Sequence, residues 1–530
     1  MRRWNGWGDD ATSYPLPEPG ARFLTTLIGN GVPSPDATLA QALDTVPVTR
    51  LAAHPLVTTD AVERLLHARG QSLPDWVALR SGKIGTFPDG VAYVTSDEEI
   101  RSLLAYARRS GVRLIPYGGG TSVAGHINPV RGDHFVVTVD LSRMDELVHL
   151  DGPSQLATFE AGVRGPRLEA QLAPLGYTLG HFPQSFELST LGGWVATRSV
   201  GQQSTHYGRI EEQLVGGHLE TFLGPLDLPA VPASAAGPDV RQLVLGSEGR
   251  LGFLTRATVR VHPRPQEEGF YGVFLHNWAG GVAAVRAIAQ ARVPVSMLRL
   301  SDAQETATTF ALAGAGGLVS WADRGLRLLR YGAGRCLLIY GVTGETHLVR
   351  LARHMVEDIC RRHGGLVAGA VIGRKWKASR FLSPYLRNTL WDHGYALDTV
   401  ETAVPWSAVL GLAMDLQTAL RSALGERVLV FTHLSHVYQV GASVYTTFLW
   451  PRARDADETL DRWCKLKAAA SETILAHHGT ISHQHGVGSD HRKYLAQEKG
   501  AVGLTLIRSA LVAADPDGLL NPDKLLPDPD

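Results

Sequence analysis

The 530 residues exceed what one hydrophobic core can organise, since single cores stop growing at about 250 to 300 residues, so two domains with a terminal extension are expected. With 51 basic against 51 acidic residues the formal net charge is zero, so no nucleic-acid partner is indicated, and 44% hydrophobic with 19% charged residues suits a soluble globular chain. Cys336, Cys360 and Cys464 form no CxxC pair, which argues against a disulfide framework or zinc ribbon, and no run of about 18 apolar residues marks a membrane span.

Residues 1–81 mix Pro-bearing polar stretches with a helix predicted over Asp60 to Arg69 and read as an extension to which no chemistry is assigned. From Ala92 the order becomes strand (VAYVT), helix, strand (VRLIPY). The helix runs from about Asp97 to Ser110, is capped by Ser96 or Asp97, buries Ile100, Leu103, Leu104 and Ala107, and stops at Gly111. HFVVTVDL, ATFEAGV and TRATVRVHP read as further strands, and the Pro-containing HPRPQEEG reads as a boundary. Beyond it GFYGVFLH, SMLRL, RCLLIYGV, RVLVFTHLSHVY and ASVYTTFLW alternate with helices around 279–292 and 345–363. The basic run Arg374, Lys375, Lys377, Arg380 reads as a solvated face more readily than as a pocket wall. The tail from Arg492 is helical and ends in DPDGLLNPDKLL, a turn-rich segment expected to fold back on the first domain. The class is α+β, divided as 1–81, 82–265, 266–491 and 492–530.

Three glycine-rich segments carry the chemistry of the first half. PYGGGTSVAG follows a strand, and its missing side chains let backbone N–H groups converge on an anion, phosphate being the natural ligand. It is neither GxGxxG nor a Walker loop, and alone it is more often a flexible turn. FELSTLGGWVATRSVGQQSTHYGRIEEQLVGG and GSEGRLGFLT follow within about 140 residues, and three such segments in series are far less common than one.

In this order the segments resemble the FAD domain of the PCMH-type (vanillyl-alcohol-oxidase-like) flavoproteins, over roughly residues 82 to 265. The resemblance implies that the first loop, Pro116, Tyr117, Gly118, Gly119, Gly120, Thr121 and Ser122, holds the FAD pyrophosphate. It implies that Gln184, Ser185, Phe186, Glu187, Leu188, Ser189, Thr190, Thr197, Arg198, Ser199 and Val200, with Glu248, Gly249, Arg250, Leu251, Gly252, Phe253 and Leu254, wrap the rest of the cofactor. No His or Cys lies within PYGGGTSV, although His126 is close, so dissociable, non-covalent FAD is expected.

In the second half, ISHQHGVGSDHRKYL places His483 and His485 two apart at the end of a predicted strand, which would turn both imidazoles to one face. Such a pair could bind a metal, donate protons or grip an anion, while a lone HxH is more often structural. Together with RWNGWGD, SMLRLSD, TAVPW and VGASVYTTF, this segment resembles the alkyldihydroxyacetonephosphate synthase family over nearly the whole chain. That family has three consecutive histidines where this chain has His483, Gln484 and His485.

The resemblance implies a transfer rather than an oxidation. FAD captures the first carbon of acyl-dihydroxyacetone phosphate as a covalent adduct, the carboxylate leaves, and a long-chain alcohol replaces it. It also implies roles for Tyr445 as proton donor and acceptor, Arg387 as phosphate ligand, and Arg299, His483 and His485 as supporting catalytic groups, with no metal. A phenol with a pKa near 10 is a weak base at neutral pH, so Tyr445 needs cationic neighbours, for which His433 and His436 are candidates.

Two other readings compete. A flavin oxidoreductase acting on a hydroxyl-bearing substrate such as a 2-hydroxy acid usually carries a metal segment like HxGDGNxH, whereas the comparable stretch here is SHVYQVGASVY. A non-enzymatic flavin binder is disfavoured by the retained Tyr445, Arg387 and His483. A homodimer in the cytoplasm, with peripheral membrane contact compatible, completes the expectation, because neither MRRWNGWGDD nor the final PDPD is a targeting signal.

Overall fold

A computed structural model describes residues 2–312 and 317–528. The helix Asp97–Ser110 forms as the sequence implies: the Ser96 hydroxyl accepts the Glu99 N–H, Gly111 turns left-handed at φ 69°, and Ile100, Leu103, Leu104 and Ala107 are buried. It connects Gly90–Tyr93 to Arg113–Tyr117, which both lie parallel to Val136–Asp140 between them, and Val57–Thr58 adds an antiparallel edge. A second, antiparallel sheet runs Leu147–Asp151, Leu156–Glu160, Phe253–Arg260, Leu214–Thr221, Gly224–Leu228. Its last hairpin falls where the sequence reads as glycine loop, because Gly216 and Gly217 sit where a Cβ would meet backbone across the sheet.

The second half is organised by one seven-stranded antiparallel sheet, in the order Leu366–Gly369, Glu267–Leu275, Cys336–Gly344, Met297–Ser301, Leu429–Val437, Gly441–Pro451, Tyr395–Pro405. Side chains alternate across each strand. Val273, Leu298, Leu300, Leu338, Tyr340, Val430, Leu434, Val444 and Phe448 enter one core, covered by the helices Trp278–Gln290, Thr346–Arg362, Trp406–Ser422 and Ala456–Ala476. The intervening residues face the other way, into a cavity. With both faces buried, these strands carry apolar residues on both sides, which is why they read as continuous apolar runs.

The N-terminal residues are built into that core: Trp7, Leu73, Trp76 and Val77 join it, and the helix Glu18–Ile28 packs Leu24 and Ile28 beside Leu390, Tyr395 and Leu429. The C-terminal segment returns to the first sheet, where Leu520 bridges Leu114 in parallel. Asn521 Nδ2 donates to the carbonyls of His126 (3.0 Å) and Glu248 (2.7 Å), joining two cavity-wall loops. Among the described residues no helix is long and apolar enough to cross a membrane.

Replacing Asn521 by Ala strands two buried carbonyls, at a cost of about 2 kcal/mol. The thermal midpoint of the FAD-loaded protein is expected to fall by several degrees; an unchanged midpoint would show that the tail does not lock the loops.

Candidate active site

A cavity of about 1140 Å³ is lined by residues from all three large sheets. Its first wall is the glycine loop. The N–H groups of Gly118, Gly119, Gly120, Thr121 and Ser122 donate to no protein acceptor among the described residues. Five consecutive free donors along a cavity wall make a cradle for an anion. The loop presses on its neighbour so closely that a Cβ on Gly119 would collide with the Leu188 carbonyl oxygen and one on Gly118 with the Thr190 hydroxyl; Gly120 is left-handed at φ 69°. These features suit a pyrophosphate, and the rest of the same cavity has room for the ring system of FAD.

All seven residues of the first loop line the cavity, together with Gln184, Ser185, Ser189, Thr190, Thr197, Ser199, Val200, Glu248, Gly249, Gly252, Phe253 and Leu254. Six others named from the sequence do not line it. Phe186 is in the core, stacked on Phe381 at 5.1 Å, and Leu251 is core as well. Leu188 serves through its carbonyl, which backs onto Gly119. The Glu187 carboxyl turns toward Tyr385, Arg198 bonds the Leu245 carbonyl, and Arg250 bonds the Lys524 carbonyl. Residues without sequence assignment take their places, among them Trp7, Tyr14 and Gln71 of the N-terminal 81, and His126, Trp194 and Asn521. The N-terminal extension therefore takes part in the site, contrary to the reading of it as chemically silent.

The opposite wall is the inner face of the seven-stranded sheet, and its character changes along the sheet. Phe274, Leu337, Ile339 and Met297 are apolar; Arg299, on the strand of Met297, and His433, Tyr445 and Thr399, on the strands that follow, are polar, with Phe431 and Leu397 beside them. Phe310, Leu326, Leu366, Ile372 and Trp376 close over the apolar stretch. Of the basic run, Lys375 and Arg380 line the cavity, Arg380 lying 4.7 Å from both the Phe182 and Phe381 rings, while Lys377 pairs with Glu268.

On the polar stretch His433 and Tyr445 are cross-strand neighbours with rings stacked at 4.8 Å. Arg299 meets both ring nitrogens of His433 (3.2 and 3.1 Å) and donates to Glu305 at 2.6 Å. Burial pushes the Tyr445 phenol up to about 12 and holds His433 below its ordinary value and His436 at about 3. The two histidines expected as cationic neighbours are therefore neutral at pH 7, because the interior penalises their charged forms. Arg299 acts in the opposite sense to burial, lowering the phenol's value. Tyr445 is thus a proton donor at rest, its hydroxyl on Thr399 Oγ1 at 3.2 Å.

Arg387 lies with its guanidinium 4.4 Å above the Trp76 ring, one N–H on the Gln71 carbonyl at 2.6 Å, and its Nε and Nη2 buried without partners. Burial lowers its pKa to about 10, so it stays charged. A buried cation with unused donors on a cavity wall is a place for an anionic ligand.

The strand expected to end at His483 and His485 is absent: residues 481–488 form an irregular loop. Two buried carboxylates hold it. Glu401 accepts the N–H groups of His483, Gln484 and His485, and Glu248 accepts those of Val487 and Gly488. The two imidazoles separate as a result. His485 lines the cavity edge-on to Tyr445, centroids 5.9 Å apart at 83°. His483 lies outside the cavity lining, bonded through Nε2 to Arg209 (2.7 Å) and Tyr438 (2.6 Å) and stacked on His436. Gln484 lines the cavity beside His485. Glu401 has a sequence signal: a carboxylate between Val400 and Thr402 in the strand-like run YALDTVETAVP needs a buried partner.

Fold and site define a PCMH-type flavoenzyme, and comparison with known proteins agrees. Residues 88–221 match the family described as FAD binding domain, and residues 264–525 match FAD linked oxidases, C-terminal domain. The chain is 30% identical to alkyldihydroxyacetonephosphate synthase of Dictyostelium discoideum, over 99% of this chain and 93% of that protein. It is 31% identical to the Caenorhabditis elegans enzyme of that name, over 87% and 79%. A solved alkyldihydroxyacetonephosphate synthase structure superposes with a TM-score of 0.85 at 29% identity, covering 99% of each chain. The chain belongs to the alkyldihydroxyacetonephosphate synthase family, and its cofactor is FAD.

Gly119→Ala places a methyl group against the Leu188 carbonyl, an overpacking cost of 1–3 kcal/mol by the usual scale, so FAD binding is expected to weaken by roughly tenfold or more. Equilibrium titration of the flavin-free protein measures it; unchanged affinity would show that the loop's close approach is unrelated to FAD.

Proposed function

We propose that this enzyme exchanges the acyl group of acyl-dihydroxyacetone phosphate for a long-chain alcohol, the ether-bond step of ether-lipid synthesis, without net oxidation. One observation carries the reading: beside the cradle for FAD, the same cavity joins the two unused donors of Arg387 to an apolar arm, which together match an amphiphile with one phosphate and one alkyl chain.

The glycine loop from Pro116 to Ser122 would hold FAD without a covalent bond, and the bound flavin would supply an electrophilic ring facing the substrate's first carbon. Arg387 binds the phosphate. The apolar arm from Phe274 to Trp376 takes the acyl chain and then the alkyl chain. At the first carbon the bond to the acyl oxygen breaks and the bond to the alcohol oxygen forms. Neutral His485 takes the proton from that carbon and returns it after the exchange, while Tyr445, protonated at rest, gives its proton to the departing acyl oxygen, which leaves as the fatty acid, and regains one from the incoming alcohol. Arg299 steadies negative charge near the phenol. His483, outside the cavity, supports the loop through Arg209 and Tyr438 rather than touching substrate. The names of the relatives reported above support this reading, and the stretch SHVYQVGASVY from Ser435 to Tyr445 lacks the HxGDGNxH pattern that the 2-hydroxy-acid reading calls for.

The test is product analysis by mass spectrometry under nitrogen, without an electron acceptor, on acyl-dihydroxyacetone phosphate plus hexadecanol. Alkyl-dihydroxyacetone phosphate and free fatty acid are expected in equal amounts. Tyr445→Phe should lower kcat by about 10²-fold or more, and Arg387→Leu should lower kcat/KM roughly a hundredfold, the loss of about 3 kcal/mol of charge-assisted bonding. Absence of ether product, with a 2-hydroxy acid reducing the flavin instead, would overturn the proposal.

A further inference from the structure

Glu401 is 3% exposed, on the strand Tyr395–Pro405, directly across from Tyr445 in register. A carboxylate in that position must find donors. Its Oε2 accepts the N–H groups of His483 and Gln484 (the latter at 3.2 Å), and its Oε1 accepts the N–H of His485 (3.0 Å) and the hydroxyl of Ser482 (2.8 Å). Consecutive N–H groups converging on one anion form a nest. A further contact has no role in holding the backbone: Oε1 lies 3.4 Å from Nδ1 of His485. Among the described residues neither ring nitrogen of His485 has another hydrogen-bond partner, and the ring lines the cavity.

We propose that Glu401 is a positioning residue for the reaction: its carboxylate keeps the proton of His485 on Nδ1 and so presents Nε2 to the cavity as a bare acceptor. The tautomer is argued from the carboxylate beside Nδ1, independently of turnover; its use in catalysis rests on the exchange reaction proposed above. When Nε2 takes a proton from the substrate's first carbon, the imidazolium formed has Nδ1–H facing a carboxylate, and the same proton returns to carbon after the exchange. A carboxylate behind an imidazole fixes ring orientation and offsets the positive charge. Burial holds His485 below its ordinary value, with Lys467 and His126 acting in the same sense, while Glu401 and Asp398 act against them. Removing the Glu401 charge therefore moves the His485 titration to still lower pH.

The experiment uses FAD-loaded protein labelled with 15N-histidine, with the His485 signals assigned by their loss in His485→Gln. Wild type is expected to show protonated Nδ1 and bare Nε2 at neutral pH. Glu401→Gln should lose this preference while retaining the flavin spectrum, with kcat down roughly tenfold or more, KM little changed, and the acid limb of the kcat profile moved to lower pH. Glu401→Asp, which keeps the charge, should restore the tautomer and much of kcat. An Nε2–H tautomer in wild type would overturn the proposal, as would a Glu401→Gln histidine spectrum and acid limb identical to wild type. Should Glu401→Gln not fold, the wild-type spectrum decides. The spectrum needs no turnover, so a failed exchange assay leaves this test standing.

Discussion

The alternation of side chains along the seven-stranded sheet is the constraint on which the rest of the structure depends. One set of residues must fill the core beneath four helices, so the complementary set is committed to the opposite face. That face is the cavity wall. Apolar Phe274, Met297 and Ile339 and polar Arg299, His433, Tyr445 and Thr399 lie side by side on it because the strand order places them so. An amphiphilic site thus arises from a single rigid element, and its polar and apolar parts keep a fixed separation.

Facing this wall is the glycine cradle, and the loop 481–488 ties the two halves together. It hangs between Glu248, beside the cradle, and Glu401, on the sheet, each receiving consecutive backbone N–H groups. Gly488 approaches the Ala124 carbonyl so closely that any side chain would collide with it, and Asn521 from the C-terminal segment pins the Glu248 loop from behind. Charge-assisted bonds to buried carboxylates are among the stronger polar contacts available to a loop, and they account for its definite course without regular secondary structure. The glycine cradle and the sheet wall carrying Tyr445 are consequently registered to each other.

Much of this was legible in the sequence where local rules decide. The helix Asp97–Ser110 with its Ser96 cap and Gly111 stop, the parallel strands around it, and the glycine loop follow from capping, periodicity and the absence of Cβ. Long-range partners decided the remainder. Alternation across a strand was assumed for His483 and His485, but Glu401, 82 residues away from His483, bends that segment into a loop and sends the two rings apart. Residue type named His433 and His436 as cations, but burial makes them neutral. Trp7 and Gln71 reach the cavity because the N-terminal segment packs into the sheet's core, which no local pattern announces.

The central claim is that this cavity exchanges an acyl group for an alkoxy group with no electrons leaving the enzyme. The most direct measurement is the anaerobic absorbance spectrum of the FAD-loaded protein, first with acyl-dihydroxyacetone phosphate and then with a long-chain alcohol. The account predicts that the oxidised flavin band is lost on the first addition and returns on the second with no electron acceptor present. A band unaffected by both, or one that returns only when oxygen or a dye is admitted, would contradict it.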